Sequence, residues 1–150
     1  MKYIFLFLTA SILASCNISA GTHGSFKQYD FKVSKTILEK AVNALIENNP
    51  NIMRDSLKTL DNYNDGTTYF TIKIASSGIN NEYVVRYYGD EKDWNSERSS
   101  AIFICYAYHN NYGGTSETDK LTNAEKKDLL IYFEANFIEK LHKELALSQK

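Results

Sequence analysis

Residues Ala101 to Tyr108, AIFICYAY, are apolar in both alternating phases. A strand with one wet face shows apolar residues at every second position only. A strand that is apolar throughout needs cover on both sides. The run therefore predicts a central sheet strand, and the rest of the chain must supply its neighbours and its cover.

Three other segments alternate. Phe26 to Val33 (FKQYDFKV) reads as a first strand, with Phe26 and Gln28 facing away from Lys27 and Tyr29. Thr68 to Ala75 places Phe70, Ile72 and Ile74 inward and Tyr69, Thr71 and Lys73 outward. Glu82 to Tyr88 returns after the turn chemistry of SSGINN, with Tyr83, Val85 and Tyr87 inward because the other phase buries Arg86. Residues 51–67 hold only the apolar pair Ile52-Met53 before a polar loop. GDEKDWNSERSS and HNNYGGTSETDK read as two further loops.

Two helices complete the pattern. Ser34 is an N-cap for a stripe of Ile37, Leu38, Ala41 and Leu45, which ends at Asn48-Asn49-Pro50. Thr122 to Glu125 forms a capping box before a stripe of Leu130, Phe133, Phe137, Leu141 and Leu145. Eleven Tyr, eight Phe and a single Pro suit a β-rich fold with aromatic packing. The order β-α-β-β-β-α predicts an α+β domain over 26–150: an antiparallel sheet of about four strands with two helices on one face.

The N-terminal stretch has a separate logic. Met1-Lys2 is basic, Tyr3 to Leu13 is almost wholly apolar, and small residues follow. This is the layout of a secretory signal, too short to span a bilayer at about 20 residues per crossing. Leu13-Ala14-Ser15-Cys16 resembles a bacterial lipobox. The resemblance covers residues 1–16 and implies a diacylglyceryl group on the Cys16 thiol, with cleavage leaving Cys16 as the first mature residue. Residues 1–15 are then the signal and 16–25 a flexible tether of small polar residues. Asn17, rather than Asp, follows the cysteine, and the first acidic residue is Asp30. By the same resemblance this favours an outer-membrane lipoprotein facing the periplasm. Loss of Lys2 would take the formal charge from −1 to −2, so no global field draws the domain to nucleic acid.

Residue types capable of chemistry are sparse. His23, His109 and His142 lack neighbours at metal-ligand spacing. Cys105 and His109 lie four residues apart on one strand, about 13 Å end to end on the same side, and Cys105 reads as an inert core residue. Asp61 to Gly66 opens like a calcium loop but fails at Tyr63 and at Ile72. No catalytic, metal or cofactor site is expected. Trp94, the single tryptophan, sits among charges; with Arg98, Asp90 and Asp93 it is the candidate interaction surface. The expectation is a membrane-anchored, non-enzymatic envelope module that binds a protein, of the inhibitor or immunity type. The alternative is a periplasmic small-ligand carrier, or an enzyme whose site is scattered in sequence.

Overall fold

The computed structural model describes residues 26–60, 69–76, 78–88, 99–114 and 121–148, except for the side chains of 56–60 and 148. It is an α+β fold. The strands are β1 (Lys27–Phe31), β2 (Ile52–Leu60), β3 (Tyr69–Ser76), β4 (Ile79–Tyr87), β5 (Ser100–His109) and β6 (Tyr112–Gly114). Helix α1 (Lys35–Asn48) lies between β1 and β2. After β6, α2 (Asn123–Phe133) runs through a π-helical turn (Glu134–Ile138) into α3 (Glu139–Ser148).

The sheet order is β1-β5-β4-β3-β2, every pairing antiparallel. The central strand is the one the sequence marks. On one edge, β5 pairs with β4; on the other, β1 takes residues 100–104 and β6 takes 107–109. Between Val84 and Val85 of β4 the register shifts, since Val84 faces Tyr106 and Val85 faces Ile104. Cys105 is the extra residue of this β-bulge, and the side-chain alternation of β5 resets there.

The helical side of the sheet carries the main core. Phe70, Ile72 and Ile74, Tyr83, Val85 and Tyr87, and Ile102 and Ile104 meet Leu38, Ala41, Val42 and Leu45 of α1, together with the aromatic stripe of the C-terminal helices. The Ser34 hydroxyl caps α1 at Ile37 N, and the Thr122–Glu125 capping box is formed as expected. The buried stripe Leu129, Phe133, Phe137, Leu141, Leu145 advances four residues per step. An unbroken α-helix would rotate such a stripe by about 40° per step. The π turn, closed by Glu139 N–H on Glu134 O, inserts a residue and takes back roughly 100°. The Asn136 amide donates to Tyr132 O at 3.0 Å within that turn.

Several expectations change. Residues 52–60 form the edge strand β2, not a loop: Ile52 is buried opposite Ile74, and Arg54 pairs with Ile72 while its guanidinium lies 4.7 Å from the Phe70 ring. Polar composition hid a strand that stands last in the sheet order of the described residues. The second loop also holds a strand, because Asn110 and Asn111 adopt left-handed φ of 51° and 65° and turn the chain into β6. At Gly113 a Cβ would stand 2.1 Å from Ala107 O, so glycine is needed for this pairing. Tyr69 and Thr71, expected outward, are buried, as the far face holds its own cluster of Tyr69, Val84, Ala101, Phe103 and Cys105. Alternation shows which residues share a face, not whether the other face is wet. In the helices Ile37 is exposed and Val42 buried, while Leu129 is buried in the core and Leu130 packs half-buried against it.

Two substitutions test this packing. The Tyr87 hydroxyl is buried without a hydrogen-bond partner among the described residues. Tyr87→Phe is expected to raise stability by about 1–3 kcal/mol, the cost of such an orphan group, in urea unfolding. Phe137→Ala, at a fully buried position, is expected to lower it by about 3–5 kcal/mol. An unchanged midpoint in the second would mean that the π turn does not dock this ring.

Candidate binding site

The residues that the sequence singled out as an interaction surface (Asp90, Asp93, Trp94, Arg98), the lipidation candidate Cys16 and the loop Asp61 to Gly66 lie outside the described residues. Cys105, His109 and His142 are placed. His142 packs beside the Phe31 ring at 5.4 Å. Cys105 is a free, buried thiol whose pKa burial raises to about 11. The four-residue spacing does not leave it on the same side as His109. The bulge at Cys105 sends it into the far-face cluster while His109 faces the helices.

His109 ends β5 within a chain of hydrogen bonds missed by sequence reasoning. The Asn110 amide nitrogen lies 3.0 Å from His109 Nε2, and His109 Nδ1 lies 2.8 Å from Asn81 Oδ1. Asn81 Nδ2 donates to the Tyr83 hydroxyl at 3.2 Å, and that hydroxyl donates to Leu129 O of α2 at 2.8 Å. With both amides so oriented, Nδ1–H donates to Asn81 Oδ1 and Nε2 accepts from the Asn110 amide. Four side chains thus tie the β5–β6 turn to a helix carbonyl. Burial raises the Tyr83 hydroxyl well above its ordinary pKa. Tyr132 adds a second tie, its hydroxyl donating to Ile79 O at 3.4 Å.

Between these ties the structure leaves a half-open recess of about 290 Å³. Leu121 and Leu129 form its floor, and the exposed Ile79 and Tyr112, with Tyr132, form its apolar walls. Glu125 and Asp128 line the α2 side and His109 the sheet side. The elements that aim these groups are the Asn-Asn turn, the capping box and the bulge. Only the capping box was legible in sequence. The Asn110-Asn111 pair was the available signal for the turn, since asparagine tolerates left-handed φ.

A second recess, of about 280 Å³, opens at the same end of the sheet. Across it run Met53, Lys73, Glu82 and Tyr108, directly cross-strand on β2 to β5. Lys73 sits between Asp55 at 2.8 Å and Glu82 at 3.9 Å, and its hydrogen bond to the Asp55 carboxylate raises its pKa. A further polar cluster joins β1 to the π turn. There Glu134 accepts from Lys27 and, at 3.0 Å, from the Tyr29 hydroxyl, and the Lys27 bond holds its carboxyl below the usual range.

Among the described residues no three His, Cys, Asp or Glu side chains converge as a metal site, and no helix is long and apolar enough to cross a membrane. Comparison with family models, curated proteins and solved structures found no match to the chain.

Two measurements follow from these groups. Tyr83→Phe removes the bond to Leu129 O and is expected to cost about 1–3 kcal/mol of stability. Native structure keeps Cys105 protonated from its ordinary 9.0 up to about 11, and burial raises Tyr83 and Tyr87 in the same direction. Their stabilisation is complete below the ordinary values. It is lost as pH rises through the folded ones, because the unfolded chain ionises first. Urea midpoints are therefore expected to fall steadily between pH 9 and 11, and a flat profile would contradict this burial.

Proposed function

We propose that the chain is a lipid-anchored protein of the bacterial envelope, held by acyl chains on Cys16, that works by binding a protein partner as an inhibitor or immunity-type module. The observation that carries the binding reading is the recess beside α2. It combines exposed Ile79 and Tyr112 with a buried leucine floor, while the polar groups beneath it are engaged in structural hydrogen bonds. Tyrosine at the rim of an apolar pocket is the composition of protein interface anchors. A small-ligand carrier encloses most of its ligand's surface; this recess is half open and sized for one or two side chains. Leu13-Ala14-Ser15-Cys16 supports the anchor, through its resemblance to a lipobox.

Two experiments test the two halves. A photo-reactive phenylalanine in place of Tyr112, in cells of the source organism, is expected to yield one discrete heavier adduct. The same residue in place of the exposed Ile131 should not. The substitution at Trp94 examines the loop that the sequence singled out. No adduct at either Tyr112 or Trp94 would remove the binding reading. For the anchor, Cys16→Ser is expected to release the chain from the membrane fraction or leave the precursor uncut. A wild-type N-terminal peptide that begins elsewhere and lacks acyl mass would overturn it.

A further inference from the structure

The charges around the recess beside α2 are one-sided. Glu125 and Asp128 stand three residues apart on α2, so both carboxylates share a face. The Thr122 backbone N–H, at 2.7 Å from Glu125 Oε2, and then the Thr122 hydroxyl hold the Glu125 carboxyl below its ordinary pKa. Asp128 has no hydrogen bond or ion pair among the described residues. Among the described residues no Lys or Arg lines the recess, and both nitrogens of His109 are engaged by Asn81 and Asn110. The recess on the other side of the turn differs, because there Lys73 already pairs with Asp55 and Glu82. Next to the two carboxylates stand flat and aliphatic surfaces, Tyr112, Tyr132 and Ile79.

We propose that this recess receives an arginine side chain of the partner protein, its stem along Ile79 and its guanidinium between the tyrosine rings and the carboxylates of Asp128 and Glu125. The proposal rests on the binding reading above and gives it a chemistry. Arginine fits better than lysine because its planar, weakly hydrated head stacks on aromatic faces and meets carboxylates in a fork, whereas an ammonium keeps its water. An uncharged apolar side chain would fill the volume but leave the carboxylates unanswered. Since both carboxylates are exposed, the electrostatic part of the affinity is modest and screened by salt.

The probe is N-acetyl-arginine amide, titrated into the full chain in detergent micelles and followed by NMR, beside the citrulline and lysine counterparts. Saturable shifts are expected at Tyr112, Asp128 and Tyr132 with the arginine derivative, and about threefold or more weaker binding with citrulline, which keeps the shape without the charge. Asp128→Asn is expected to weaken arginine binding by about threefold while leaving the melting temperature unchanged. Equal shifts for arginine and citrulline, equal or tighter binding of lysine, or shifts confined to other residues would overturn the proposal. The Tyr112 crosslink separates the two levels. If the adduct forms undiminished in the Asp128→Asn chain, the binding reading stands and the arginine does not. If it never forms in the wild-type chain, the use of this recess fails with it.

Discussion

The hydrogen-bonded and packed position of β5 is the constraint on which the other elements depend. Both edges of this strand are paired over most of its length, so most of its backbone groups are satisfied by the sheet. Both its faces are apolar, so one layer of helices cannot be its whole environment. The helical side receives Ile102, Ile104 and Ala107; the far side receives Ala101, Phe103 and Cys105. The bulge at Cys105 lets one strand serve two geometries. Before it, β5 matches β1 and the core; after it, the strand turns His109 toward α2 and pairs with β6. Without the extra residue, the alternation would carry His109 to the far face.

The helical layer answers the same constraint from above. A four-residue repeat of large apolar side chains is longer than an α-helical turn. The π turn reconciles it with a nearly straight line of contacts over the sheet. Phe133 stands at the centre, its ring 4.7 Å from that of Tyr83 and 4.9 Å from that of Phe137. Because Tyr83 also reaches Leu129 O, α2 is fixed over the turn end of the sheet by both a tilted ring contact and a hydrogen bond. The recess is the space left where that helix crosses the tips of two hairpins.

How much of this was legible follows from the signals available. Long, strongly patterned segments could be read: β3, β4, β5, the α1 boundary at Ser34 and Pro50, and the capping box at Thr122. The strand β2 could not be read, because IMRDSLKTL is largely polar and, of the side chains of residues 52–55, only Ile52 is buried. Nor could the burial of Tyr69 and Thr71, which depends on cover over the second face. The candidate site was less legible than the fold. Asn81, Tyr83, His109 and Leu129 come from three elements, and their alignment depends on a bulge that leaves no mark in AIFICYAY. The surface read around Trp94 rested on residue type alone, whereas the recess depends on where turns and helix meet.

The pairing of Lys27 with Ile104 has a consequence for the order in which this chain can fold. Strands β2 to β5 are consecutive neighbours joined through local hairpin contacts, which form quickly. The first strand has no such partner. Its slot does not exist until β5 is in place, and closing it bears the loop entropy of most of the domain. A chain that emerges N-terminus first therefore delivers its opening strand early and seats it late. Until β5 arrives, Tyr29 and Phe31 wait in solvent, and their ring contacts with Phe133 and His142 wait with them.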